Sequence, residues 1–192
     1  MPADKFADLI ISEMKSAIGQ NGENFTKDTP NIANKTIAKA ITTYLLDNTT
    51  VSVSYSGIIP GTPPVPDPTV TDVLKITGEC KVPGVSDNFD SWVSEIGSNI
   101  QNGFFLENGL AGVTTTSPNS ILCFAGTPLS IKRDEIKSIH EGNFNDPQKA
   151  VWEFICERII TWLSNISGIP FPGKNISTGS SGSGTTVKNI IL

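Results

Sequence analysis

PNIANKTIAKAITTYLLDNTTVSVSYS, Pro30 to Ser56, changes its hydrophobic period partway along. From Pro30 to Asp47, the residues Ile32, Ala33, Ile37, Ala40, Ile41, Tyr44 and Leu45 recur at helical spacing and share one face. Thr29 stands where a helix cap belongs. Pro30 takes the first helical position, where a missing N–H costs nothing. From Val51 the spacing becomes alternation. Val51, Val53 and Tyr55 face one way and Ser52, Ser54 and Ser56 the other, as in a half-buried strand with one polar face. The change of period predicts an α+β domain, with amphipathic helices packed on a mostly antiparallel sheet.

Outward from this stretch the same two periods recur. Upstream, Phe6, Leu9, Ile10, Met14, Ala17 and Ile18 form the stripe of a helix from Asp4 to Ile18, which Gly19 ends. A polar loop, Gln20 to Asp28, joins the two helices as an antiparallel pair. Downstream comes GIIPGTPPVPDP, Gly57 to Pro68. Its prolines hold the backbone extended and deny it ladder donors. Val70 to Val82 is strand-like again, with Leu74 and Ile76 set against Lys75 and Thr77. The pair reads as a hairpin with a long tip, and loops of such length are often functional. Pro63 and Pro64 are therefore interface candidates in a stiff protrusion that touches a neighbouring subunit. The alternative is a proline-rich ligand for an aromatic groove.

A third helix is expected from Asp87 to Asn102, capped by Ser86 or Asp87, with Phe89, Trp92, Val93, Ile96 and Ile100 as a narrow stripe. Gly103 closes it, and Phe104 to Leu106 reads as a short strand. Asn108 to Asn119 reads as a loop, Ile121 to Phe124 as a short buried strand, and Ser130 to His140 as a weakly striped helix. The clearest helix is DPQKAVWEFICERIITWLSNI, Asp146 to Ile166. Asp146 is its cap and Pro147 its first residue. Trp152, Ile155, Ile159 and Trp162 are expected in the core. Phe154 falls among the polar residues Glu153, Glu157, Thr161 and Ser164, which marks it as an interface candidate.

After this helix the composition changes. Residues 1–166 read as a single domain and residues 167–192 as a flexible Gly/Ser tether with an apolar C-terminal arm. STGSSGSGTT, Ser177 to Thr186, has little to pack with. Val187, Ile190, Ile191 and Leu192 turn apolar again and are expected to add a strand to a neighbouring subunit's sheet edge. The alternative is a frayed terminus or a linker left by cloning.

Composition narrows the function. Of 192 residues, 38% are hydrophobic and 17% charged, below the ~25% charged share of ordinary soluble domains. Neutral polar residues fill the surface, as in proteins packed against neighbours and in secreted β-rich proteins. The net charge is −5. Lys132 and Arg133, the one adjacent basic pair, are followed at once by Asp134 and Glu135. Phosphate neutralisation needs a basic stripe, so sequence recognition of nucleic acid is not expected. The three cysteines, Cys80, Cys123 and Cys156, make no disulfide framework or zinc pair, and Cys156 reads as a buried thiol. No apolar run is long enough for a membrane span. Asp4, Asp8 and Glu13 are out of place in a secretory leader, so the five Asn-x-Ser/Thr sequons, at Asn24, Asn34, Asn48, Asn165 and Asn175, read as by-products of composition.

The chemistry of known sites is matched only in fragments. Gly168, Gly173 and Lys174 follow a phosphate-loop spacing, but Asn175 replaces the Mg²⁺-binding hydroxyl and Pro170 and Pro172 remove N–H groups. His140 is the single histidine, too little for a His-built metal site, and nothing beside it supports a Cys–His pair. No catalytic residue, metal or cofactor is expected, and the protein is not expected to be an enzyme.

Two N-terminal helices, VSVSYSG with its long proline loop, a core helix, and the C-terminal GSSGSGTTVKNIIL together resemble the organisation of small virion proteins of tailed bacteriophages, such as tail, neck or baseplate subunits. The resemblance is one of organisation and carries no residue roles over. It implies a non-enzymatic subunit that self-assembles or docks into a symmetric ring or stack with other virion proteins, built in a bacterial cytoplasm. The competing expectation is a monomeric binding module or assembly factor without catalytic activity.

Overall fold

Five helices and seven strands alternate unevenly along the described chain: α1 (Pro2–Ile18), α2 (Thr29–Asn48), β1 (Thr49–Ile59), β2 (Val65–Pro66), β3 (Val70–Gly78), α3 (Phe89–Gly103), β4 (Phe104–Leu106), β5 (Val113–Thr115), α4 (Arg133–Gly142), α5 (Pro147–Ser164), β6 (Pro170–Asn175) and β7 (Ser181–Ile191). The computed structural model describes all residues except 1, 20–23, 25, 60–62, 67–68, 108–112, 116–127, 166–169, 176–180 and 192. For residues 70, 72, 113–115, 170–175, 181 and 183–191 it describes the backbone alone. The expected strand Ile121–Phe124, Cys123 and Leu192 lie outside the described residues.

The fold is α+β. The strands form one sheet in the order β4-β3-β1-β7-β6-β5, with β2 paired to the far end of β1. All of its described pairs are antiparallel. Val51, Val53, Tyr55, Leu74 and Ile76 bury one face of the sheet in a core shared with Phe6, Ile10, Ile41, Leu45, Ile100 and Ile159 from the helices. The opposite face of β1 and β3 is open. Ser52 and Ser54 are half-exposed, and Ser56, Thr71, Val73, Lys75 and Thr77 are exposed. The alternation of β1 thus states correctly which face is dry.

The helices assemble as their stripes require. Phe6 of α1 stacks on Tyr44 of α2, with ring centroids 4.2 Å apart, and the Tyr44 hydroxyl donates to the Pro2 carbonyl at 3.0 Å. Lys39 reaches Glu13 at 2.9 Å, so residue numbers rise along α1 as they fall along α2, the expected antiparallel pair. Lys149 of α5 reaches Asp8 of α1 at 2.8 Å. Such exposed pairs each contribute at most about 1 kcal/mol, so apolar burial dominates the packing. In α5 the Asp146 side chain caps the helix by accepting from the Lys149 N–H at 2.9 Å.

Several details correct the sequence reading. Asp28, not Thr29, precedes α2, and the Thr29 hydroxyl instead accepts from the Thr26 N–H at 2.7 Å. Asn88 caps α3, its side chain accepting from the Asp90 and Ser91 N–H groups at 3.0 and 3.3 Å. The proline loop is shorter than Gly57–Pro68, because β1 runs to Ile59 and Val65–Pro66 pair back on it. Gly78 ends β3 with φ +115°, a left-handed conformation that only glycine adopts without strain, and a Cβ there would strike the Gly103 carbonyl. Trp152 and Trp162 are half-buried, while Ile155, Cys156, Ile159 and Leu163 fill the core.

The largest correction concerns the C-terminus. Ser181–Ile191 does not leave the domain as a flexible arm. It is β7, paired with β1 from Ile58↔Ser181 to Thr49↔Ile191 and with β6 on its other side. The physical reason is the edge of β1. Beside β3 alone, β1 would present a row of unpaired N–H and C=O groups, and β7 satisfies them. Gly182 lies opposite Gly57, where a Cβ would collide with the Ser56 carbonyl and the Gly57 backbone. Its glycine composition suits close backbone approach as well as it suits a tether.

Candidate interaction site

The sequence points to Pro63, Pro64, Phe154, Val187, Ile190, Ile191 and Leu192 as interface residues, and the structure separates them. Pro63 and Pro64 are exposed at the tip of the β1–β3 hairpin, followed by exposed Val65 and Pro66. Proline there leaves no unpaired N–H, which explains how the tip can stand clear of a ladder.

Phe154, the interface candidate on α5, sits partly inside its own domain. It is half-buried and packed against its own core, with the Arg158 guanidinium 4.9 Å from its ring centroid. Arg158 is in turn held by Glu135 of α4 at 2.8 Å. Arg158 and Glu135 thus join α5 to α4 beside Phe154, while Glu157 and Thr161 stay exposed. Val187, Ile190 and Ile191 belong to β7, with Ile190 opposite Thr50, Ile191 opposite Thr49, and a register shift between Lys188 and Thr186 that leaves Val187 unmatched.

A second surface lies on the helical side. Where α2, α3, α4 and α5 diverge they leave a cleft of about 550 Å³. Its polar anchor is Asn34, buried at 7% exposure. The Asn34 amide donates to the Pro83 and Gly84 carbonyls at 3.1 and 3.0 Å, and its oxygen accepts from the Trp92 indole N–H at 3.1 Å. These bonds tie α2 to the segment before α3 and fix Trp92 against it. The Glu95 carboxylate accepts from the Gly84 N–H at 2.9 Å and holds the same segment from α3. Phe89 lies 5.9 Å from Trp92 between ring centroids, and Trp152 of α5 lines the cleft with them.

The walls are therefore aromatic and aliphatic, and the charged groups that line the cleft are Arg133 and Asp87. Among the described residues Arg133 has no ion-pair partner, since its neighbour Glu135 is committed to Arg158 and to the Lys132 N–H. Of the expected interface residues with described side chains, Pro63, Pro64 and Phe154 do not line this cleft. Phe89 and Trp92 are legible as the start of the α3 stripe, and Asn34 as a polar residue within the apolar face of α2. The half-exposure of Phe89 and Trp92 follows from the spread of four helices, which local periodicity does not encode.

Other groups are placed more simply. Cys156 is the buried thiol expected, and Cys80 is buried as well. Burial pushes the Cys80 thiol up to about 12, with Glu79 adding to the effect. Burial also raises Cys156, assisted by Glu153. Both are held as neutral thiols, the opposite of an activated nucleophile. His140 is exposed in the last turn of α4. No described helix is long and apolar enough to cross a membrane. Phe144, between α4 and α5, is 93% exposed. Compared with known proteins, the chain matches no family model, no curated protein and no solved structure.

Proposed function

We propose that the protein is a non-enzymatic structural subunit of a tailed-phage particle, a tail, neck or baseplate component that packs into a symmetric ring or stack with copies of itself and other virion proteins. On this reading it is assembled in the bacterial cytoplasm and resides in the virion, binding neither cofactor nor nucleic-acid sequence. The observation that carries the proposal is the open face of the sheet. Helices cover one side only. The other, over β1 and β3, carries a Ser and Thr surface with Lys75 as its charged member among the described side chains. On it Ile58 is 58% and Val73 is 55% exposed, and Val65 at the hairpin end is 53% exposed. A sparsely charged surface with isolated apolar side chains suits an interface that excludes water with few salt bridges. The organisational resemblance to small virion proteins supports the same reading.

The second reading, a monomeric binding module or assembly factor, draws on the aromatic cleft. Light scattering on the full chain separates the two. A discrete oligomer that falls to monomer on Ile58→Asp with Val73→Asp, at an unchanged thermal midpoint, is the expected result. A chain that stays monomeric at every concentration contradicts the self-assembling subunit.

A further inference from the structure

We propose that Asn102 is a self-modification site: the Asn102–Gly103 pair converts to isoaspartate when the last turn of α3 opens, and the product no longer closes the junction between α3 and β4. The sequence holds three Asn–Gly pairs, Asn21–Gly22, Asn102–Gly103 and Asn108–Gly109, and the first and third lie outside the described residues. The chemistry of such a pair needs no enzyme. The glycine amide nitrogen gives up its proton to water and attacks the Asn side-chain carbonyl carbon. The side-chain nitrogen leaves as ammonia, and a five-membered succinimide closes. Water then opens the ring at either carbonyl. One product is Asp. The other is isoaspartate, in which the main chain runs through the former side chain and is one carbon longer. Glycine favours the attack because it has no side chain to shield its nitrogen.

In the folded chain both reacting groups are held apart. Asn102 is exposed, so water reaches it, but its side-chain amide donates to the Ser98 carbonyl at 2.9 Å, one turn back along α3. Gly103 is the last residue of α3 and is buried. Ring closure needs the Asn102 backbone to leave helical dihedrals and its side chain to leave Ser98. The reaction is therefore confined to the state in which the end of α3 has frayed, and helix ends are among the first elements to open. The product meets a clamp. The Glu79 N–H donates to the Gly103 carbonyl at 3.0 Å. A Cβ on Gly103 would strike the Glu79 carbonyl, and a Cβ on Gly78 would strike the Gly103 carbonyl. An extra main-chain carbon at position 102 displaces Gly103 where not even a Cβ has room. The displacement passes on to Phe104, which is fully buried and pairs with Gly78. The modification forms in the open state and disfavours the closed one, so it acts in one direction.

The test uses the full chain with Asn21→Gln and Asn108→Gln, which leaves Asn102–Gly103 as its one Asn–Gly pair. Deamidation is followed by peptide mapping at mildly alkaline pH, in native buffer and in urea, and isoaspartate is scored with an isoaspartyl methyltransferase. The native chain should react more slowly by roughly tenfold or more, as gating by local opening requires. Chain aged in urea and returned to native buffer should melt well below chain taken through urea briefly. Asn102→Asp adds the carboxylate without lengthening the main chain, and at this exposed position it should melt close to the unaged chain. Equal rates in native buffer and urea overturn the gate. An aged chain that regains the unaged midpoint, or an Asn102→Asp chain that falls as far as the aged one, overturns the clamp.

Discussion

Helix α5 and strand β7 both lie in this fold, and they are held there by different means. In α5 the side chains do the work. Asp146 caps the helix, Pro147 starts it, and Ile155, Cys156, Ile159 and Leu163 are buried on one side. In β7 the described hold is the backbone ladder. SGSGTTVKNII, a Ser, Gly and Thr run that turns apolar only at its end, pairs with β1 along ten register positions and with β6 beyond it. A helix satisfies its own backbone and needs side chains to dock. A strand can be recruited by the open edge of another strand, whatever its side chains.

The sharpest way to break this comparison is to remove β7. A chain ending at Ser177 should lose its cooperative thermal transition, because β1 would then face solvent at the middle of the sheet. A truncated chain that folds normally would return the segment to a dispensable tail. Next in size is Ile159→Ala, which empties a site only 2% exposed and should cost about 2–5 kcal/mol in denaturant unfolding. A midpoint unchanged by it would show that α5 is not held by its buried face. Gly182→Val tests the backbone mechanism in β7. The added side chain meets the Ser56 carbonyl and the Gly57 backbone, so a loss of about 1–3 kcal/mol is expected. Indifference would mean that the two strands do not approach so closely. The smallest effect belongs to Phe144→Ser. Phe144 is close to α5 in sequence but 93% exposed, so the unfolding midpoint should shift by no more than about 0.5 kcal/mol.

The same contrast explains what was legible in the sequence. Helices α1, α2, α3 and α5 were readable because a buried stripe at period about 3.6 is a side-chain signal. The Val51–Tyr55 alternation and the Phe104–Leu106 strand were readable for the same reason. Strands β6 and β7 were not. Pro170 and Pro172 speak against a central strand, yet β5 pairs only with Gly173–Asn175, so both prolines have a single described strand beside them. Of the candidate site, the prolyl tip was legible because proline advertises its missing N–H. The packing of Phe154 is not legible, because its polar neighbours in sequence do not announce the Arg158 guanidinium over its ring or the Glu135 that holds it. The cleft was invisible, because it depends on the divergence of four helices and on one buried amide, Asn34, that pins the segment between β3 and α3.

The fold depends on β7 belonging to its own domain. Amide hydrogen exchange on the dilute, monomeric full chain measures this directly, residue by residue. The amides of Ser181–Ile191 that donate across the β1–β7 and β6–β7 ladders should exchange as slowly as those of Thr49–Ser56. Exchange of Ser181–Ile191 at unfolded-chain rates, beside a protected β1, would contradict it and restore the flexible arm.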